Sequence, residues 1–204
     1  MKVAALKQLK KAITAVIFDD GSEILLDSEL VIIENIKTGT EIENIEELKY
    51  QSDFKRAKSR ALWYLSRSDH SEKALLDKLR RGDFSEKACR DAVDRMIELG
   101  LINDEAYGSR MAEYLSQSNV SKREAEAKLV TRGIPRQLAH ELVASEEDEC
   151  DKIKYLLEHK YANKLSDEES VKKVFAALIR KGFSYSDVKS ALKDYSEEIM
   201  YSED

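Results

Sequence analysis

The sequence predicts a mainly α protein: three tandem three-helix repeats forming an elongated curved array, preceded by a small N-terminal β-hairpin and helix extension. Three observations predict it. A motif of Leu, basic residues, Gly and a large apolar residue five places after the Leu occurs three times, as "KLRRGDF" at 78–84, "KLVTRGI" at 128–134 and "ALIRKGF" at 177–183. The 204 residues include one Pro and seven Gly against 36% charged side chains, a composition of few helix breakers. The one β-branched apolar run followed by a turn signal, "AITAVIF" then "DDGS", lies near the start.

In the extension, taken as 1–50, "AITAVIF" is a strand, "DDGS" a turn and "EILL" the returning strand. "DSELVIIENI" reads as a short helix ended by Gly39, and "IENIEELKYQ" as a second helix leading into the repeats. A lone hairpin is marginal in water, so it should pack on that helix or on the first repeat.

The repeats are taken as 51–103, 104–146 and 147–204. Aligning Leu79, Leu129 and Leu178 brings Phe84, Ile134 and Phe183 into one column, and Ser71, Ser121 and Ser170 into another. A period near 50 residues indicates stacked helical units. The first helix of the first repeat, near 54–67, carries Ala57, Ala61, Tyr64 and Leu65 at helical spacing. The column serine is the expected N-cap of the second helix, with "SKRE" at 121–124 a capping box. That helix buries Leu75/Leu79, Ala125/Leu129 and Val174/Leu178, and Gly82, Gly133 or Gly182 is free to adopt a left-handed terminus. The third helix starts at the Ser85 cap or with Pro135 in its first position, and buries Cys89, Ala92, Val93 and Met96 in the first repeat. Phe84 and Phe183 are expected to anchor their repeats, and Tyr64 and Tyr114, which share a column, to lie in the core. In the third repeat "HKYANKLSDEE" is an insertion expected to extend the first helix and its loop, and "SEEDE" at 145–149 marks the junction.

No apolar run approaches the roughly 20 residues that span a bilayer. The basic N-terminus lacks an apolar region followed by a cleavage site, which argues for a cytoplasmic protein. Cys89 and Cys150 read as free thiols in a reducing compartment. His70, His140 and His159 are far apart without metal-ligand spacing, and neither a P-loop nor a dinucleotide fingerprint is present. No enzyme activity, metal or cofactor is expected.

Net charge is −6, against a generic nucleic-acid coat, but the charge is uneven. Residues 1–50 hold 6 basic and 10 acidic side chains, 51–103 hold 12 and 9, and 146–204 hold 10 and 15. Within the basic centre, Arg56, Arg60 and Arg67 share one side of the first helix, and Arg80 and Arg81 close the second. The second-helix arginines also suit the helix dipole, so a purely structural role competes with a phosphate-binding one. Trp63, the single tryptophan, is either core or an exposed aromatic for stacking or partner anchoring. Glu113 in its column of the second repeat favours the surface. Lys122, Arg123 and Arg132 complete the candidate partner- or DNA-binding set.

"RALWYLSRSDHSEKALLDKLRRGDF", "AVDRMIELGLINDEAYGSRMAEYL" and "AEAKLVTRGI" resemble the RecX regulatory proteins over roughly residues 1–200. The most specific segment is "LGLINDEAYGSRMAEYL"; Asn103 stands where the family has an Asp, and Gly108 where it has an Ala. The resemblance implies three tandem three-helix repeats and inhibition of the RecA recombinase, within whose filament the basic segment would meet single- or double-stranded DNA. It implies a DNA-repair and recombination role for a cytoplasmic monomer with no membrane partner. Direct DNA binding by three-helix units and a generic repeat scaffold are the alternatives.

Overall fold

A computed structural model of the chain describes residues 1–10, 12–144, 149–165 and 167–202, with side chains as far as Ser196 in the last segment. The chain divides into two compact units, Met1–Asn103 and Asp104–Asp204.

The first unit opens with three antiparallel strands, β1 (Val3–Lys10), β2 (Ile13–Phe18) and β3 (Glu23–Asp27), in the order β1-β2-β3. The expected hairpin is β2–β3; β1 is an additional strand. Val3, Val16, Phe18 and Leu26 form the buried face with Leu30, Val31, Ile36 and Leu48. α1 (Ser28–Ile33) is capped by the Asp27 carboxylate, which accepts from the Glu29 and Leu30 amides. It ends well before Gly39. Asn35 turns left-handed at φ 49°, and the Ile36 amide bonds back to the Val31 carbonyl.

The two helices expected across residues 42–67 are one, α2 (Ile45–Leu65), capped by Asn44. Its polar middle is buried for a reason. Ser52 Oγ accepts from the Asp27 amide at 2.7 Å, and Asp53 accepts from the Ser85 amide at 2.9 Å. Lys55 adds ion pairs to Asp27 and Glu29 at 2.9 and 2.8 Å. One helix thus ties the sheet to the first repeat through the Ser52 and Asp53 hydrogen bonds. α3 (Glu72–Leu79) and α4 (Glu86–Glu98) follow, capped by Ser71 and Ser85 as expected. Ala57 and Ala61 from α2, Leu75 and Leu79 from α3, and the Cys89, Ala92, Val93 and Met96 stripe from α4 make the core. Burial raises the Cys89 thiol pKa, which leaves it a packing residue rather than a nucleophile.

The second unit contains α5 (Asp104–Ser116), α6 (Lys122–Thr131) and α7 (Arg136–Ala144), then α8 (Cys150–Leu156), α9 (Glu168–Arg180) and α10 (Tyr185–Ser202). Pro135 immediately precedes α7 rather than opening it. Gly108 permits close α5–α7 packing: a Cβ there would stand 2.7 Å from Leu142 Cδ1. The third-repeat insertion forms a π turn, Leu157–Tyr161, and a 3-10 turn, Ala162–Lys164. It also gives α9 an earlier start. Asp167 is its cap, and Ser170 is the third residue inside, donating to Asp167. The expected Ser170 cap is therefore displaced by a carboxylate that the insertion brings within reach. Of "SEEDE", residues 145–148 lie outside the described residues; Glu149 accepts from the Lys122 amide at the start of α6.

The two later glycine turns match: Gly133 and Gly182 have φ of 95° and 97°. Gly82 does not adopt a positive φ; it sits one residue early, and a Cβ on it would meet the Phe84 ring at 2.5 Å. Asp83 inserts before the apolar residue, so the first turn closes differently and Phe84 is only half-buried, while Ile134 and Phe183 are buried.

Gly182 has a second role. Its turn abuts the start of α6, where Ser121 Oγ donates to the Lys181 carbonyl at 2.6 Å while capping its own helix. A Cβ on Gly182 would lie 2.7 Å from that Oγ and 3.0 Å from Arg123 Cβ. In the third repeat the motif is thus both a helix stop and the face presented to the second repeat. Gly182→Ala is expected to cost about 1–2 kcal/mol for the left-handed backbone alone, and more for the displaced Ser121. Gly21→Ala, at φ 83° with nothing within 4 Å, supplies the backbone-only comparison in thermal melts. Equal losses would show that the contact is unimportant.

Candidate nucleic-acid interface

The last turns of α2 bring cations and aromatic rings together. Arg60, Trp63 and Tyr64 share one face of α2 at three- and four-residue spacings, and Arg67 follows in the turn just past its end. The Arg60 guanidinium lies 5.4 Å from the Trp63 ring centroid and 5.8 Å from that of Tyr64. Arg67 lies 4.2 Å from the Trp63 centroid, so the indole stands between two arginines. Trp63 keeps 44% of its surface exposed, which excludes the core alternative. Neither arginine is paired with a carboxylate among the described residues.

α3 contributes Lys78, whose Nζ lies 4.9 Å from the Tyr64 centroid and 3.1 Å from His70 Nε2. Burial first, and then the Lys78 charge, depress the His70 pKa. The imidazole is therefore neutral at pH 7 and accepts from the ammonium. Lys78, His70 and Tyr64 were not among the sequence candidates. The signal available was the four-residue step from Arg60 to Tyr64; the α3 partner required the packing of two helices.

The other candidates occupy different settings. Arg56 is half-buried, 3.4 Å from Asp53 and from the Asp83 carbonyl, with its guanidinium 5.1 Å from the Phe84 centroid. It braces the turn. Arg80 donates to both oxygens of Glu86 and approaches Asp77 at 3.4 Å. Those bonds raise the Arg80 pKa, and with Arg90 they hold Glu86 down to about 2. The pair is solvent-exposed, so it adds little stability, but it answers the Arg80 charge locally. Arg81 is exposed beside it. Lys122, Arg123 and Arg132 belong to the second unit: Lys122 is half-buried at the start of α6, Arg123 and Arg132 are exposed.

Tyr114 is 72% exposed, against its expected place in the core. Its column partner Tyr64 is half-buried because Lys78 and His70 cover it; Tyr114 has no such cover among the described residues. Exposed arginines flanking an indole can hold a phosphate while the ring stacks on a base, a pairing that reads single-stranded nucleic acid without sequence preference. Among the described residues no group of three His, Cys, Asp or Glu is placed to hold a metal ion. No described helix is long and apolar enough to cross a membrane.

Comparison with known proteins gives one answer. The family model described as RecX, first three-helix domain, matches residues 57–96, and that for RecX, third three-helix domain, matches 146–192. A protein named Regulatory protein RecX from Caldanaerobacter subterraneus subsp. tengcongensis is 30% identical over 183 residues, covering 86% of this chain and 90% of its own. The protein of the same name from Clostridioides difficile is 32% identical over 186 residues, covering 85% of each. The crystal structure of RecX from Lactobacillus salivarius superposes with a TM-score of 0.63 at 25% identity, over 70% of this chain and 96% of that one. A second crystal structure of regulatory protein RecX shares the fold at a TM-score of 0.65 and 21% identity, over 94% of this chain and 98% of that one.

Proposed function

The chain belongs to the RecX family of regulatory proteins, and from that premise we propose that it binds a RecA–DNA filament and inhibits its ATPase and recombination activity. It acts without catalysis of its own, as a cytoplasmic monomer. The observation that supports this most is the pairing of family membership with an uncovered cation–aromatic face on the first repeat. Three similar units in tandem offer three successive contacts to a polymer whose protomers repeat. The Arg60–Trp63–Arg67 face meets the DNA strand inside the filament, while acidic segments, such as 146–204 with 15 acidic residues against 10 basic, complement basic groups of the recombinase.

The test is DNA-dependent ATP hydrolysis by the cognate recombinase on single-stranded DNA, with increasing amounts of this protein. Inhibition at concentrations well below those needed to coat the bare DNA supports the proposal. An unchanged rate at saturating protein rejects it.

One observation favours the second reading, direct DNA binding: the same face is complete without a partner. A salt titration on bare DNA separates the two. Counterion release makes pure phosphate binding fall steeply between low and moderate salt. Binding that requires the recombinase and has a shallow salt slope belongs to the first reading.

A further inference from the structure

β1 ends the three-stranded sheet, and its outer edge is open. The order β1-β2-β3 leaves one side of β1 without a strand neighbour, whereas β3 lies against α2. Among the described residues the edge is closed at its start, where Val3 bonds with Gly39 and Thr40 and Lys2 bridges Glu41. From Ala4 to Lys10 every residue is exposed, including Leu6 at 37% and Leu9 at 47%. Seven residues of solvated strand edge are a template for another strand. Irregularities of the β1–β2 pairing between Val3 and Ala5 and between Gln8 and Lys10, with Lys7 and Lys10 on the strand, blunt unselective pairing.

The charge of the edge selects its occupant. Residues 1–18 hold four lysines and no acid, although residues 1–50 together hold ten acids. A second copy of β1 would bring the same lysines against one another, and like charges across a strand pair are destabilising. An extended acidic segment meets the opposite condition. Its main chain would pair with the β1 edge, its carboxylates with Lys7 and Lys10, which the register places on one face, and its intervening apolar side chains with Leu6 on the other.

We propose that β1 is a docking edge for an extended segment of a partner protein in which acidic and apolar residues alternate, added as a fourth strand. The segment binds by main-chain hydrogen bonds, with charge setting its selectivity. The proposal is independent of the recombinase reading and uses none of the cation–aromatic residues.

The experiment uses the full chain and an acetylated, amidated peptide, Val-Glu-Val-Thr-Val-Glu-Val, followed by amide hydrogen exchange. At millimolar peptide, exchange within residues 4–10 is expected to slow at least tenfold, with little change in α2–α10. The Lys7→Glu, Lys10→Glu double variant, altered only at exposed positions, should retain its melting temperature and lose that protection. The same peptide N-methylated at alternate residues should protect nothing. Equal protection by the methylated peptide would overturn strand addition in favour of side-chain attraction alone. Absence of protection by the parent peptide would overturn the proposal, as would protection of 4–10 by a single-stranded oligonucleotide alone. Concentration-dependent protection without peptide, with a dimer in sedimentation, would assign the edge to a second copy and also overturn it.

Discussion

Phe183→Ala is expected to destabilise the third repeat by about 3–5 kcal/mol, the range for truncating a fully buried Phe. Phe183 is 3% exposed and packs with Ile153, Leu157, Val174, Leu178 and Val188. Its amide also bonds to the Leu178 carbonyl, closing the turn after α9. Removing the ring leaves a void between α8, α9 and α10 that backbone held at Gly182 cannot collapse to fill. Phe84→Ala occupies the equivalent column and should cost about half as much, because a half-buried ring removes less area from water. Part of its loss is the Arg56 guanidinium contact. Urea unfolding followed by far-ultraviolet circular dichroism measures both. The chain has two compact units, so the transition is fitted with two steps where probes disagree. Parent-like stability for Phe183→Ala, or a larger loss for Phe84→Ala, would show that the column is not the anchor.

The difference between those two phenylalanines marks how far the sequence could be read. The stripes that make each repeat were legible because burial imposes a period: Leu75 and Leu79, or Cys89, Ala92, Val93 and Met96, face inward and nothing polar interrupts them. β1 was not legible. From Ala4 onward its side chains are exposed on both faces, and the irregularity between Gln8 and Lys10 breaks the two-residue alternation that would betray a strand. The continuity of α2 was hidden by Ser52 and Asp53, which read as a polar joint. They are buried because each accepts a backbone amide from a different element, Asp27 or Ser85. Tyr114 failed for the reverse reason: shared column does not guarantee shared cover. At the candidate interface, the spacing of Arg60 and Arg67 was legible, but their separation from Arg56 and Arg80 was not. It depends on Asp53, Asp83 and Glu86 coming within reach of those two side chains.

Replacing Arg60 and Arg67 together by Ala is expected to weaken inhibition of the recombinase ATPase on single-stranded DNA at least tenfold, about 1.4 kcal/mol, with the melting temperature lowered by only a few degrees. Both side chains are exposed, and their contacts in the chain are to the faces of Trp63 and Tyr64. Exposed cation–π contacts contribute about 0.5–1 kcal/mol each, a loss that leaves the chain folded at the assay temperature while inhibition falls. Two lost phosphate contacts should also flatten the salt dependence, lowering the slope of log affinity against log salt by about 1.4 for a single strand. Trp63→Ala should reduce affinity by a similar factor and leave the slope unchanged, because stacking releases no counterions. Arg80→Ala is the internal comparison. It removes a cation already bound to Glu86 and Asp77, and should leave both inhibition and slope near the parent values. A loss in Arg80→Ala with none in the Arg60, Arg67 variant would move the interface to the end of α3. Parent-like behaviour of all three across the salt series would remove it from the first repeat altogether.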